Sequence, residues 1–338
     1  MLPRLAISMG DPAGVGPEVA LKALARPEIL GICCPILVGD LAVLEAQAEC
    51  LGETYALRPV STADEAVCDS RSVNVLSLGL VSMGDFTLGA VGAVSGKASV
   101  EYVLEAGRLA LAGRVDAIVT GPINKEAIRL GGYNYIGHTE MLAELCGGPQ
   151  VSTMLAAGGL RVVHVTRHVR LAEVAEQITT ERVLDTIRAT HSGMCGLGFA
   201  RPRIAVAGLN PHNGDNGLMG DEEIVAIGPA VEQARRAGMD ATGPIPADSV
   251  FFRALGGAFD VVVAMYHDQG HIPIKTHAFE HSVALTLGLP IIRTSVDHGT
   301  AFDIAWQGRA DPTSMVEAVR LAIDLVRRRE DGDPGERD

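Results

Sequence analysis

Four of the ten histidines lie where an apolar run typical of a strand ends in a turn. His168 follows RVVHVTR, His212 lies in LNPHNGD, His267 follows DVVVAMY, and His298 lies in SVDHGT. In α/β sheets, ligands bind at the carboxyl ends of the strands, and neutral imidazole is a common ligand of zinc and similar ions. No histidine has a short-range metal spacing such as HExxH, so each one alone is better explained by loop hydrogen bonds. Taken together, His168, His212 and His267 make an open catalytic metal site an equally good explanation.

A second group of residues is suited to an anionic ligand. Lys275 and Arg293 are embedded in apolar runs, unlike solvated surface charges. Arginine offers bidentate hydrogen bonds to carboxylate or phosphate, and lysine acts as a point charge. Thr139, next to His138, precedes the helical MLAELC and is a candidate N-cap, which would place helix N–H donors near an anion. Capping without ligand binding explains Thr139 equally well. His164, inside an apolar run, is expected to be a core residue.

The glycine-rich segment MGDPAGVGPE (residues 9–18) lies between a predicted strand and a predicted helix, where a nucleotide-binding loop would lie. Its glycines match neither GxGxxG nor the P-loop pattern, and no dinucleotide fingerprint occurs elsewhere in the chain. A nicotinamide cofactor would therefore not bind in a standard Rossmann turn.

Short apolar runs alternate with amphipathic stretches along the chain. Strands are predicted at 4–9, 35–38, 73–78, 116–120, 161–166, 203–209, 260–266 and 290–296, and helices at 16–25, 41–51, 97–112, 170–178, 181–197, 222–237 and 313–328. This alternation predicts the α/β class, with parallel sheets covered on both faces. The length of 338 residues suits two domains. We predict a first domain of 1–128 plus 300–338, and a second, 129–299, with most of the metal and substrate residues.

Composition narrows the classes of function. The chain is 47% hydrophobic, enough for large cores, which excludes a disordered or disulfide-stapled protein. Its net charge of -13 argues against nucleic-acid partners. The six cysteines form no CxxC, so we expect buried free thiols in a reducing compartment. The sequence has no signal-peptide core and no apolar run approaching the ~18 residues of a membrane span, so a cytoplasmic location without a membrane partner is expected.

Six segments resemble the 4-hydroxythreonine-4-phosphate dehydrogenase family of pyridoxal phosphate biosynthesis: GDPAGVGPE, TGPINKEA, GHTE, NPHNGDNG, YHDQGHIPIK and GLPIIRTSVDHGTAFDIA. The resemblance covers roughly residues 4–325. It implies an isocitrate/isopropylmalate dehydrogenase-like fold with two α/β/α domains and a cleft between them. It also implies a homodimer with active sites at the subunit interface.

The resemblance further implies residue roles. The ligands of a divalent metal (Zn, Co, Mg or Mn) would be His168, His212 and His267. The residues that bind a small phosphorylated hydroxy acid would be His138, Thr139, Lys275 and Arg293. The stretch HGTAFDIA is similar to the loop that holds the adenosine of NAD in isopropylmalate dehydrogenases, which assigns NAD or NADP binding to His298, Gly299, Thr300 and Asp303. The candidates for the catalytic base are Lys275 and Asp248.

The implied activity is that of an oxidoreductase: NAD(P)-dependent, metal-dependent oxidative decarboxylation of a 4-phosphorylated four-carbon 3-hydroxy acid. Ala284 stands where biosynthetic members carry a substrate-binding asparagine, and FDIAWQGRAD is closer to the branch that oxidises 4-phospho-D-threonate or 4-phospho-D-erythronate. Alanine at this position is also similar to relatives that oxidise cis-dihydrodiol carboxylates. A metal-dependent hydrolase or aldolase is a further alternative, against which HGTAFDIA argues. An inert binding protein is another, against which the three histidines argue.

Overall fold

The computed structural model describes residues 2–52, 55–69, 71–148 and 150–332. Its strands, numbered in chain order, are β1 (Arg4–Ser8), β2 (Cys34–Gly39), β3 (Leu57–Val60), β4 (Val73–Ser77), β5 (Ala117–Thr120), β6 (Ser152–Ala157), β7 (Leu160–His164), β8 (Ile204–Ala207), β9 (Ala241–Ile245), β10 (Val261–Ala264), β11 (Val283–Leu287) and β12 (Ile292–Val296).

The α-helices are α1 (Gly16–Leu24), α2 (Pro27–Leu30), α3 (Leu41–Leu51), α4 (Ala93–Leu111), α5 (Lys125–Leu130), α6 (His138–Leu145), α7 (Val174–Gln177), α8 (Thr180–Gly196), α9 (Gly228–Arg236), α10 (Ala247–Leu255), α11 (His267–Ala278) and α12 (Thr313–Gly332). Short 3-10 turns lie at Ala63–Glu65, Leu171–Glu173 and Pro211–Gly217, and a π-helical turn at Glu223–Ile227 runs into α9. Within the described residues, no helix is both long and apolar enough to cross a bilayer.

The described chain divides into two compact units, residues 2–148 with 289–327 and residues 150–288 with 328–332. These boundaries differ from the predicted ones near residues 128 and 299. Residues 129–148 belong to the first unit because α6 packs on α4, and residues 289–299 because β12 pairs with β5. His138, Thr139 and Arg293 therefore lie in the first unit.

The first unit has six parallel strands in the order β3-β4-β2-β1-β5-β12. The central strands β1, β2, β5 and β12 are buried almost throughout, as expected for a parallel sheet covered on both faces. Helix α4 packs on three of these strands, β1, β2 and β5, with Tyr102 fully buried. The predicted α/β class is confirmed.

The second unit has the strand order β11-β6-β7-β10-β8-β9. The strands from β7 to β9 are parallel to one another, but β6 runs antiparallel to both of its neighbours. The predicted parallel pairing therefore does not extend to β6. The cause is a tight hairpin between β6 and β7, where Gly158 and Gly159 have φ of 53° and 91°. Two consecutive residues with positive φ are what a two-residue hairpin needs, and glycine adopts that conformation without strain.

The cysteines differ from the prediction of buried free thiols. Cys34 and Cys68 form a disulfide, and Cys50 and Cys195 are exposed. Cys33 is buried and free, as predicted. The paired cysteines are 34 residues apart in sequence. Asn74 in β4 joins their two segments, because its side chain bonds to the Pro35 carbonyl oxygen and to the backbone of Val67. No local spacing motif indicates such a pair.

Candidate active site

Arg293, in β12, places a buried positive charge near the end of β5. Arg293 is only 4% exposed. Its Nε and Nη2 atoms donate to Thr120 Oγ1 at 3.1 and 2.7 Å. Burial lowers the pKa of Arg293 to about 9, so the guanidinium stays charged at neutral pH. The planar donor fork of arginine suits a carboxylate or a phosphate.

His138 begins α6 and lies close enough to Arg293 to be influenced by its charge. Burial, followed by the Arg293 charge, lowers the pKa of His138 well below 6.5, so its imidazole is neutral at pH 7. Nε2 is 3.1 Å from the Gly121 carbonyl oxygen. Because a carbonyl only accepts, Nε2 carries the hydrogen and Nδ1 is the acceptor. A neutral acceptor near a buried cation suits a substrate that has both a hydroxyl and an anionic group.

Thr139 is not the N-cap of α6. That position is Gly137, and the helix begins at His138 without a side-chain cap. Thr139 is the second helical residue and is half-buried. The structure thus brings His138 and Arg293 together and places Thr139 in the same first turn as His138.

In the second unit, α11 carries a row of three polar side chains, one helical turn apart: His267, His271 and Lys275. His267 Nδ1 is 2.6 Å from Asp268 Oδ1. Because a carboxylate only accepts, Nδ1 is the donor, and in the neutral form of this imidazole Nε2 would be the atom with the lone pair. His271 Nδ1 is 3.0 Å from the His267 carbonyl oxygen, and the two rings stack at 3.6 Å. Lys275 Nζ lies 5.0 Å from the centre of the Phe279 ring.

The three predicted metal ligands follow three adjacent parallel strands, in the order β7, β10 and β8. The rings of His168 and His267 are 5.8 Å apart, centre to centre. Nevertheless, no three His, Cys, Asp or Glu side chains among the described residues are arranged to hold a metal ion. Three imidazoles are suitable ligands for a divalent metal ion. The hydrogen bond between the Asp268 carboxylate and His267 is also common for metal-binding histidines. Of the three predicted ligands, His168 and His267 are therefore neighbours, whereas His212 does not complete a ligand set with them in the described residues.

The turn that carries His212 has a left-handed backbone. His212, Asn213, Asp215 and Asn216 all have φ between 45° and 58°. The buried Glu223 carboxylate fixes the start of this turn, because its Oε1 accepts from the backbone N–H groups of Leu209 and Asn210, both at 2.7 Å. Positive φ at non-glycine residues is uncommon, which is why strand and helix periodicity did not predict this conformation.

His164 is a core residue, as predicted. It is 6% exposed in β7, and its pKa falls to about 3 through burial, then through the neighbouring His271 and His267. Its ring centre is 4.7 Å from that of His271. Sequence analysis assigned no role to His271. His267, His271 and Lys275 are spaced four residues apart, which places them on one face of a helix. This spacing would indicate a role for His271 if residues 267–278 were predicted to be helical.

The residues that the resemblance assigns to the nucleotide lie on a loop after β12, residues 298–310, which we call the cofactor loop after this predicted role. His298, Gly299 and Asp303 are exposed, and Thr300 is buried. A Cβ built on Gly299 would meet no atom within 4 Å, so the backbone is open to an approaching ligand. An acidic side chain beside open backbone suits the hydroxyls of a ribose. These residues fit a nicotinamide dinucleotide.

The glycine-rich segment packs against protein and is buried throughout. A Cβ on Gly14 would lie 2.8 Å from Thr300 Cβ, and one on Gly16 would lie 2.1 Å from the Met9 carbonyl oxygen. Its glycines therefore allow close packing of backbone and do not form a phosphate-binding loop.

Comparison with known proteins places these residues in a family. The family model described as pyridoxal phosphate biosynthetic protein PdxA matches residues 31–322. The D-threonate 4-phosphate dehydrogenase of Cupriavidus necator is 47% identical over 329 residues, which are 97% of this chain and 98% of that protein. The chain belongs to the PdxA family. The resemblance predicted from the six sequence segments is confirmed.

Two solved structures extend the comparison of this PdxA-family chain. The 4-hydroxythreonine-4-phosphate dehydrogenase from Klebsiella pneumoniae has a TM-score of 0.89 and 42% identity, covering 96% of this chain and 99% of that one. A terephthalate 1,2-cis-dihydrodiol dehydrogenase from Burkholderia xenovorans LB400 has a TM-score of 0.66 and 35% identity, covering 96% and 98%. The named relatives are dehydrogenases, and they differ in the substrates that their names state.

Two further positions bear on what this PdxA-family member oxidises. Ala284 lies half-buried in β11, opposite Leu155 of β6, and packs against the apolar core of the second unit. It offers no polar group to a substrate. Asp248 is exposed in the first turn of α10, a helix that packs against the His212 turn.

Proposed function

We propose that this PdxA-family chain is an NAD(P)-dependent dehydrogenase of 4-phosphorylated four-carbon 3-hydroxy acids, with D-threonate 4-phosphate or D-erythronate 4-phosphate preferred. The observation that carries the proposal is the buried Arg293 charge beside the neutral His138, in the same unit as an open cofactor loop. The near full-length similarity to a D-threonate 4-phosphate dehydrogenase supports the choice of substrate.

The chain's own residues would bind and orient the hydroxy acid. Arg293 would hold one anionic group, and Lys275 keeps the substrate-binding role that the family resemblance implies. The Nδ1 atom of His138 would accept a hydrogen bond from a substrate hydroxyl. Asp248 and Lys275 are the candidate acceptors of the proton that leaves the oxidised hydroxyl, and Lys275 would accept it only as the neutral amine, a role that excludes its acting as a cation at the same time. Bound nicotinamide supplies the acceptor for the hydride, and the resulting β-keto acid would lose CO2.

A divalent metal held by His168, His212 and His267 remains a prediction from the resemblance. Within the described chain, two of these side chains are neighbours and no three-residue ligand set is formed. We therefore assign no step of the reaction to the metal. A homodimer with shared active sites offers a way to complete the set, because a second subunit could supply what one subunit leaves open.

The purified protein is therefore expected to be a homodimer. Sedimentation at micromolar concentration should give about twice the chain mass of 35.4 kDa. Dilution to the point of dissociation should abolish turnover if each site is completed by the partner. A fully active monomer would contradict the shared site.

The substrate is tested at Ala284. Formation of NADH, followed at 340 nm, should give a higher kcat/KM for D-threonate 4-phosphate than for 4-phosphohydroxythreonine, by about tenfold or more, since alanine lacks the polar contact that asparagine provides. The Ala284→Asn variant should shift this ratio toward the amino acid. The matched control is Ala278→Asn, because Ala278 packs against the same core and lies outside the predicted substrate contacts.

Two outcomes would contradict this assignment. A wild-type preference for 4-phosphohydroxythreonine would favour a role in vitamin B6 synthesis. A preference for an unphosphorylated cis-dihydrodiol carboxylate would favour the second candidate function, which the similarity to the Burkholderia dehydrogenase supports.

A further inference from the structure

We infer that Glu18 and Lys22 of α1 are positioning residues that hold the cofactor loop in its binding conformation. The inference rests on the proposed use of NAD(P) by that loop. Neither residue belongs to the predicted site. Glu18 ends the glycine-rich segment and Lys22 lies four residues further on.

An ion pair between a fully buried carboxylate and a partly exposed ammonium fixes the far end of the cofactor loop. The Glu18 side chain is fully buried, and its Oε1 accepts from Lys22 Nζ at 2.8 Å and from the Ala310 backbone N–H at 2.7 Å. Lys22 Nζ also donates to the carbonyl oxygens of Gly308 and Ala310 at 2.8 and 2.9 Å. These three acceptors use all three hydrogens of the lysine ammonium. The pair therefore joins α1 to the loop through charge-assisted hydrogen bonds.

The rest of the loop is anchored on the segment just before the ion pair. The Thr300 carbonyl accepts from the Val15 N–H at 2.9 Å, and the Trp306 indole Nε1–H donates to the Pro12 carbonyl at 3.0 Å. Gly14 allows the contact with Thr300, because a Cβ there would collide with it. The beginning, middle and end of the loop thus rest on one continuous stretch of chain, residues 12–22.

The loop needs such support because its backbone is strained. Ala301 and Trp306 have φ of 40° and 62°, a left-handed conformation that residues with a Cβ rarely adopt. Strained backbone persists only where the surrounding structure determines it. Without Lys22, residues 308–310 would keep the Glu18 contact to the Ala310 N–H but lose the donor to the carbonyl oxygens of Gly308 and Ala310. The weaker anchoring would let the strain at Trp306 relax. The exposed face formed by His298, Gly299 and Asp303 would then lose its conformation.

Trp306 makes the inference measurable, because it is the only tryptophan in the chain and lies within the loop. Its emission in the full-length protein is titrated with NADH and with NADPH, and the quenching gives a Kd for each. We expect Lys22→Met to raise the Kd of the preferred cofactor by about tenfold, as the loss of charge-assisted hydrogen bonds implies. In Lys22→Met without cofactor, the Trp306 emission should shift to longer wavelength, because the indole N–H would no longer donate to the Pro12 carbonyl oxygen.

Kinetics distinguishes positioning from general loss of structure. In Lys22→Met the KM for the dinucleotide should rise by a similar factor, whereas the KM for the hydroxy acid should stay within twofold of wild type. Lys22→Arg, which keeps the charge and several donors, should recover most of the affinity. Lys97→Met is the matched control, since Lys97 is an exposed lysine of α4 in the same unit, and it should leave Kd and emission unchanged. If Lys22→Met does not fold, Glu18→Gln removes the charge while keeping an acceptor for Ala310, and a smaller rise in Kd is expected.

The results separate the inference from the proposed function. Wild-type protein that binds neither NADH nor NADPH would overturn the proposed function and the inference with it. Wild-type protein that binds one of them, with unchanged Kd and emission in Lys22→Met and Glu18→Gln, would overturn the inference alone.

Discussion

Replacing Arg293 by methionine is expected to lower kcat/KM for D-threonate 4-phosphate by about 10²- to 10³-fold, the range that loss of one partner of a buried, hydrogen-bonded charge pair implies. The guanidinium is buried and donates to Thr120, so methionine at this position would remove both the charge and the planar donor fork from the anion-binding position. The measurement is initial-rate kinetics at saturating cofactor, with thermal unfolding to show that the variant is folded.

Two further variants locate the effect in the guanidinium. Arg293→Lys keeps a positive charge and loses the planar fork, so its loss should be intermediate. Thr120→Val keeps the side-chain shape and removes the oxygen to which Nε and Nη2 donate, which should cost about tenfold through misorientation of the guanidinium. Arg108→Met, at an exposed ion pair on α4, should have no effect. Wild-type kcat/KM in a folded Arg293→Met protein would remove the anion-binding role.

The parallel strands of this fold are predictable from sequence because buried strands are short, continuous apolar runs. β5 and β10 are such runs, and both lie within predicted strands. Apolar content alone does not identify every strand, since β11 (VALTL) is also mostly apolar and is absent from the predicted strands. β9 contains Gly243 and Pro244, and β6 is antiparallel because of the hairpin at Gly158 and Gly159. The adjacent glycines were a readable turn signal, whereas β9 depends on pairing with β8.

The candidate site was predictable only in part, for a related reason. Arg293 was identified because a charged residue inside an apolar run is unusual, and the structure explains its place by the Thr120 acceptor. Helix α11 was missed because Gly270 and Pro273 both disfavour a helix. The true use of the glycine-rich segment could not be predicted either. It depends on the contact between Gly14 and Thr300, residues far apart in sequence that meet only in the folded chain.

Removal of divalent metal is expected to reduce turnover to background, with activity restored by adding Zn²⁺, Co²⁺ or Mn²⁺. The reason is that neutral imidazoles at the ends of adjacent strands are donors for such ions, and His168 and His267 are already neighbours. The test dialyses the protein against a chelator, measures metal content by mass spectrometry, and measures initial rates before and after each metal is returned.

Single substitution of the ligands should reproduce the effect of chelation. His267→Ala is expected to lower kcat by about 10²- to 10⁴-fold and to lower the bound metal per chain, as loss of a direct ligand implies. Asp268→Asn keeps the His267 ligand but replaces the carboxylate that orients its ring by a neutral amide. The metal Kd should therefore rise about 10- to 100-fold. His277→Ala is the matched control, because it removes an exposed imidazole from the same helix. A metal-free His267→Ala protein with full activity would show that the histidines hold no catalytic metal, and the close packing of His267 with His271 would then be a structural feature of α11.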